Sequence, residues 1–122
     1  MANYPSEHQE QCTVIDWCKW NSKKYPELKT IYAIPNGGNR HIATAVKLKK
    51  EGVRAGVSDL HLPVAKGKYH GLWIEMKTIK GRLQKSQKKW LELMDQYGHK
   101  TAVCYGADEA IKVLTEYLEL EE

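Results

Sequence analysis

Two acidic residues, Asp59 and Glu75, lie in the stretch GVSDLHLPVAKGKYHGLWIEMK, which runs from Gly56 to Lys77. Apolar and polar side chains alternate on both sides of Gly67, a pattern typical of two strands joined by a glycine turn. Folding the chain about Gly67 places Asp59 opposite Glu75. Lys77 shares the face of Glu75, because side chains two residues apart on a strand point the same way.

This pairing is unfavourable, because two facing carboxylates repel each other and destabilise a sheet. The cost grows where water is excluded. Solvent exposure, a raised carboxyl pKa or a bound cation could each relieve the repulsion. A divalent ion held by two or three carboxylate oxygens suits Mg²⁺, and Lys77 beside it could hold a water or a phosphate oxygen. A surface hairpin with an ordinary Glu/Lys pair, which contributes little to stability, is the competing interpretation.

The charges of the chain are unevenly distributed. Residues 40–89 hold 13 Lys and Arg but only three acids, whereas residues 90–122 hold two lysines and eight acids. A basic segment with a small acidic centre is what a site that binds and cuts a phosphodiester backbone needs. A lysine-rich surface that is only solvated is the alternative.

Length and composition indicate a single domain over residues 1–122. No apolar run reaches the ~18–20 residues of a membrane span, so we expect no membrane partner. The N-terminal residues are polar, unlike a signal peptide. The three cysteines lack metal-binding spacing, and we expect reduced thiols in a cytoplasmic protein.

Hydrophobic periodicity and cap residues predict an α/β fold, a mixed β-sheet flanked by helices. The predicted elements are a helix capped by Ser6 that runs to about Lys24, a strand at KTIYAIP, a helix from Asn39 to about Glu51, the hairpin, a helix from Gln87 to Tyr97 capped by Ser86, a strand at KTAVCYG and a helix from Ala107 to about Leu118.

The hairpin also carries a family resemblance. The motif GVSDL followed by IEMK resembles the D…ExK signature of the PD-(D/E)xK nuclease superfamily, which has a restriction-endonuclease-like core. More narrowly, IPNGGNRH, EGVRAGVSDL, HGLWIEMK and SQKKW in this order resemble the VRR-NUC (virus-type replication-repair nuclease) family, in the small stand-alone form found in phages and prophages. One departure is Ser58, where the family usually has Pro before the Asp.

The resemblance implies roles for individual residues. Asp59 and Glu75 would bind Mg²⁺ or Mn²⁺ with the backbone carbonyl of Met76, and Lys77 would orient or activate the attacking water. Gln87 matches a family glutamine close to the site. The family also places a Glu of the first helix at the metal, for which Glu7 and Glu10 are candidates. Glu10 is favoured, because it continues the inward stripe of Val14, Trp17 and Cys18.

Nucleic-acid contacts are predicted at a glycine turn entering a helix and at nearby basic residues. The free N–H groups of a helix N-terminus can hold a phosphate, although a tight turn alone also requires glycine. Trp73 could stack on a base or belong to the core. His61 is expected to be structural. The predicted DNA-binding residues are Asn36, Gly37, Gly38, Arg40, His41, Lys47, Lys50, Arg54, Arg82 and Lys85.

The resemblance implies a metal-dependent DNA endonuclease of a bacterial or phage-infected cell that leaves a 5′-phosphate and a 3′-hydroxyl. Because the small phage-type members resemble four-way-junction (Holliday-junction) resolvases, branched DNA is the expected substrate. Two symmetric cuts need two sites, which implies a homodimer. The alternatives are a flap or restriction-type nuclease, and a catalytically silent nucleic-acid-binding module of the same fold.

Overall fold

Residues 4–35 and 41–121 are described by a computed structural model. In chain order the elements are α1 (Glu7–Trp20), a short 3₁₀ helix (Pro26–Thr30), β1 (Tyr32–Ala33), α2 (Ile42–Lys50), β2 (Leu60–Leu62), β3 (Leu72–Lys77), α3 (Lys85–Gln96), β4 (Lys100–Tyr105) and α4 (Ala107–Leu118). Among the described residues, no helix is both long and apolar enough to cross a membrane.

The four strands form one mixed sheet in the order β1-β2-β3-β4. The β1–β2 and β2–β3 pairs are antiparallel, and β3 pairs with β4 in parallel, with α3 in the connection. The hairpin register pairs Leu60 with Ile74 and Leu62 with Leu72, which confirms the register predicted from Gly67. Continued by one residue, it brings Asp59, just before β2, opposite Glu75.

Both faces of β3 are covered, since all six of its residues are buried. The face that carries Leu72, Ile74 and Met76 belongs to the main hydrophobic core, together with residues of α1 and α4. On the opposite face Trp73 packs edge to face against Trp90 of α3, with ring centroids 5.3 Å apart. The predicted fold class, a mixed sheet flanked by helices, is confirmed.

Helix α1 begins with the predicted capping box. The Ser6 hydroxyl accepts the Gln9 N–H, and the Gln9 side chain accepts the Ser6 N–H. The helix ends at Trp20, before the predicted Lys24, and Asn21 is its C-cap. Both the backbone N–H and the side-chain amide of Asn21 donate to the carbonyl of Trp17.

Three further boundaries differ from the prediction. The KTIYAIP strand shrinks to two residues because Pro26 begins a 3₁₀ turn that buries Leu28. Helix α2 is capped by His41, whose Nδ1 accepts the Ala43 N–H at 3.3 Å, while Asn39 lies outside the described residues. Helix α3 begins at Lys85, because Gln87 Oε1 accepts the N–H of Gln84, so Ser86 is not its cap.

The loop before Asp59 packs closely against the start of α3. Gly56 has a φ of +86°, and a Cβ at this position would lie 2.4 Å from the backbone of Ser86. Only glycine permits both the left-handed backbone and this approach. The contact joins the segment that carries Asp59 to the helix that carries Gln87.

We expect Gly56→Ala to destabilise the protein by more than Gly52→Ala, measured as the free energy of unfolding in urea. Gly52 also has a positive φ, of +101°, but no atom lies within 4 Å of the added Cβ, so it is the matched control. Backbone strain alone costs about 1–2 kcal/mol, and overpacking adds about 1–3 kcal/mol at Gly56. Equal losses would contradict the close packing of this loop on α3.

Candidate metal centre

Three carboxylates from separate parts of the chain converge at one end of the hairpin. They belong to Glu7 in the first turn of α1, Asp59 just before β2, and Glu75 on β3. One oxygen from each lies within 4.8 Å of the others. This is the spacing at which oxygen ligands can share one divalent cation.

Backbone and burial fix two of these side chains. Asp59 Oδ2 accepts the N–H of Met76 at 2.7 Å, so the carboxylate is held against β3. Glu75 is only 1% exposed, and its Oε1 is buried with no hydrogen-bond partner among the described residues. Since a buried carboxylate oxygen without a partner is costly, it points to a ligand that the protein chain does not supply.

The electrostatics of the cluster favour a cation. Burial raises the pKa of Glu75, and the neighbouring Asp59 raises it further, through a hydrogen bond and through its charge, while the Lys77 ammonium opposes the shift. Burial and the charge of Asp59 also raise the pKa of Glu7. A divalent ion would take the place of the retained proton. The donor set, its spacing and the orphaned oxygen therefore fit Mg²⁺ or Mn²⁺.

Glu10, the favoured helix ligand, does not join this cluster. Its Oε2 accepts the N–H of Ala107 at 2.7 Å and so caps the start of α4. Glu10 points into the protein as its place on the helix stripe indicated, but there it meets a helix N-terminus with an unpaired N–H. The helix carboxylate that lies with Asp59 and Glu75 is that of Glu7.

Gly106 links this cap to the end of β3. It has a φ of +99°, and a Cβ there would lie 2.6 Å from Glu10 Oε2. Its N–H donates to the carbonyl of Lys77 at 3.1 Å. The adjacent residues Gly106 and Ala107 thus connect the end of β3 to α1, and Glu7 lies one turn before Glu10 on that helix. The position of Glu7 relative to Lys77 depends on this connection.

Comparison with known proteins identifies the family. The family model described as the VRR-NUC domain matches residues 2–108. The chain belongs to the VRR-NUC family. The fold also matches a solved structure described as a "VRR_NUC domain protein", with 31% sequence identity, a TM-score of 0.87, and coverage of 99% of this chain and 94% of that chain. No curated protein matches the sequence significantly. The VRR-NUC domain implies a nuclease-type fold.

The remaining residues of the predicted VRR-NUC centre surround the carboxylates to different degrees. Lys77 is 6% exposed and close enough to act on the pKa values of Glu75 and Glu7. The side chain of Met76 lies in the core, and its carbonyl as a metal ligand stays a prediction. Gln87 Oε1 is engaged with the Gln84 N–H at 2.8 Å, so its role at the metal also stays a prediction.

The predicted DNA-binding residues are only partly covered by the described part of the chain. Positions 36–40, which include Asn36, Gly37, Gly38 and Arg40, lie outside the described residues. His41 caps α2, and none of the residues of that helix is buried. The exposed cations that stay predicted DNA contacts are Lys47, Lys50, Arg54, Arg82 and Lys85.

Trp73 and His61 are structural. Trp73 is 8% exposed, and its ring stacks on His61 with centroids 3.8 Å apart and planes 5° apart. The His61 Nδ1 is hydrogen-bonded to the Tyr32 hydroxyl at 2.7 Å. Burial and the neighbouring His99 lower the pKa of His61 to about 4. Trp73 therefore does not present a free face to a base. The three cysteines form no disulfide.

The two candidate helix ligands can be separated by the same chemical change at each. We expect Glu7→Gln to weaken Mn²⁺ binding by about tenfold or more, because it removes an anionic ligand. Glu10→Gln should bind Mn²⁺ like wild type, because an amide oxygen can still accept the Ala107 N–H. Isothermal titration calorimetry measures both affinities. The reverse order of effects would contradict the assignment of Glu7.

Metal binding should release protons. Because the pKa of Glu75 is raised, the metal-free protein retains a proton in the cluster at neutral pH, and the ion must displace it. The apparent affinity for Mg²⁺ should therefore rise with pH between about pH 6 and pH 9. Calorimetric titrations in two buffers of different ionisation enthalpy count the protons released. A pH-independent affinity without proton release would contradict the raised pKa.

Proposed function

We propose that the protein is a metal-dependent DNA endonuclease that hydrolyses phosphodiester bonds, with branched DNA as its substrate and residues 1–122 as one nuclease domain. The observation that carries the proposal is the cluster of Glu7, Asp59 and Glu75, with its buried unpartnered oxygen, beside the buried Lys77. Membership of the VRR-NUC family supports nuclease chemistry at this cluster.

Glu7, Asp59 and Glu75 would hold Mg²⁺ or Mn²⁺, with the carbonyl of Met76 as a further ligand. When bound, the ion offsets the negative charge that builds on the phosphate and favours ionisation of water. Asp59 is kept in place by the Met76 N–H, and Glu75 is fixed by the sheet around it. The ligands are therefore pre-positioned, and little reorganisation is needed when substrate arrives.

Lys77 has two roles in the proposed reaction. Its ammonium group offsets the negative charge of the cluster, and it orients the water that attacks phosphorus. The attacking water loses a proton to the surrounding solvent as its oxygen forms a bond to phosphorus, the bond from phosphorus to the 3′ oxygen breaks, and that oxygen takes up a proton. The products are a 5′-phosphate and a 3′-hydroxyl. Burial restricts the lysine side chain, so little of its own conformational entropy is lost when it orients the water.

The charge pattern supports a polyanionic substrate. Residues 40–89 hold 13 of the 19 Lys and Arg of the chain, and exposed members of this set lie on α2, after it and at the start of α3. Neutralising several phosphates makes binding steeply dependent on salt. The preference for four-way junctions and the homodimer rest on the resemblance to junction resolvases, since paired cuts require two sites.

Cleavage of four DNA substrates tests the proposal. Junction, flap, nicked and linear duplexes of the same sequence would be incubated with the protein and Mg²⁺ or Mn²⁺, and the products resolved on denaturing gels. We expect metal-dependent cleavage, fastest on the junction. Preferred cutting of the flap or linear duplex would favour another nuclease role. Binding without cleavage of any substrate would contradict the enzyme and favour a silent binding module.

In the same assay Lys77→Met should lower the cleavage rate by about 10²-fold or more, because the apolar stem remains but the cationic group that acts on water is lost. Calorimetric binding of Mn²⁺ should persist. Lys112→Met is the matched control, because it makes the same substitution at an exposed residue of α4 in the acidic segment. Undiminished cleavage by Lys77→Met would contradict the role of this lysine.

A further inference from the structure

An open groove of about 460 Å³ runs from the carboxylate cluster along α1. Glu7 and Asp59 line it at the cluster, and Lys19 lines it near the last turn of the helix. At 1.5 Å per residue, Glu7 and Lys19 are separated by about 18 Å along the helix axis. The volume falls within the range of about 300–1,000 Å³ that is typical of small-molecule pockets. The groove is therefore large enough for a ligand that also reaches the metal site.

The lining of the groove combines apolar walls with a few polar groups. Ile15 contributes from α1, and Ile34 and Pro35 contribute from the segment after β1, so aliphatic groups come from two separate elements. Gln11 offers an amide that both donates and accepts hydrogen bonds, and Asp16 offers an acceptor. This combination fits a flat molecule with apolar faces and a polar edge.

The charge of the lining does not favour a phosphate backbone in the groove itself. Glu7 and Asp59 would be neutralised by a bound ion, and beyond them the charges of Asp16 and Lys19 cancel. This part of the groove therefore offers a sugar–phosphate chain no net attraction. An uncharged nucleobase needs none, and the amide and carboxylate groups match the donors and acceptors on its edge.

We infer that the groove receives a nucleobase of the DNA strand being cut, from a nucleotide next to the scissile phosphate. The inference rests on the proposed function, because it takes the three carboxylates as the site where the phosphate is cut. A base in the groove must leave the base stack of its strand. The aliphatic walls of the groove then replace part of the lost stacking, and Gln11 contacts the edge of the base.

This assignment gives a physical reason for the preference for branched DNA. Extruding a base from a continuous duplex costs unpairing and unstacking, whereas a base at a branch point or beside a mismatch is released more cheaply. The groove would select such positions without reading sequence strongly. The substrate class is therefore DNA with a weakly paired nucleotide at the cleavage position.

Fluorescence of 2-aminopurine tests the groove independently of cleavage. The base analogue would be placed in turn at each nucleotide that flanks the branch point of a four-way junction, and binding would be followed in Ca²⁺. We expect its fluorescence to rise at one of these positions with wild type, because the base leaves the stack. Cys12→Trp places an indole in the groove, where it would displace or quench the base, so the rise should disappear.

Thr13→Trp is the matched control. It puts the same side chain on the same helix at an exposed position that does not line the groove. The rise should be kept in this variant, and thermal melting by circular dichroism would show that both variants fold. No rise at any position with wild type, or an equal rise in both variants, would overturn the inference. A rise in fluorescence without any Mg²⁺-dependent cleavage would contradict the proposed nuclease but not the base-binding groove. Cleavage without a rise in fluorescence would contradict the base-binding groove alone.

A substitution at Gln11 adds a kinetic readout. Gln11→Ala should lower kcat/KM by about tenfold on a junction with the normal base, because a hydrogen bond to the base edge is lost. On a junction with an abasic nucleotide at the same position the rate should be unchanged, because no base is there to contact. Equal effects on the two substrates, including no effect on either, would contradict the contact.

Discussion

Electrostatic repulsion among carboxylates is the constraint around which this structure is organised. Asp59, just before β2, lies beside Glu75 of β3, Glu7 joins them from a helix, and Glu75 is buried. A sheet gains nothing from such a grouping, and Lys77 offsets only part of the charge. The raised pKa values of Glu75 and Glu7 express that cost in the metal-free protein. A group of this kind fits a site for a divalent cation.

The rest of the fold keeps these groups together at a fixed separation. Strand β3 is buried on both faces and paired on both edges, which leaves Glu75 and Lys77 little freedom. Two hydrogen bonds join α1 to the end of that strand. The Ala107 N–H donates to Glu10, and the Gly106 N–H donates to the carbonyl of Lys77. Stability and the geometry of the cluster are therefore coupled at Gly106, where φ is +99° and an added Cβ would displace Glu10 Oε2 from its place at the start of α4.

Much of the fold and of the carboxylate cluster could be predicted from the sequence, where the determining interactions are local. Strict alternation on both sides of Gly67 is sufficient for the register that sets Asp59 opposite Glu75, and Ser6 with Gln9 is sufficient for the start of α1. Local patterns could not predict which helix carboxylate lies with Asp59 and Glu75. The stripe correctly indicated that Glu10 points inward, but its partner is the start of α4, almost a hundred residues away. A glycine N-cap at Gly106, which has no side chain to accept an N–H, was the one signal that an acceptor must come from elsewhere.

Anomalous diffraction from crystals grown with Mn²⁺ would show whether the three carboxylates hold a cation. We expect a strong anomalous peak between Glu7, Asp59 and Glu75, with Glu10 still bonded to Ala107. A peak coordinated by Glu10, or a manganese-saturated crystal with no peak at these three carboxylates, would contradict this expectation.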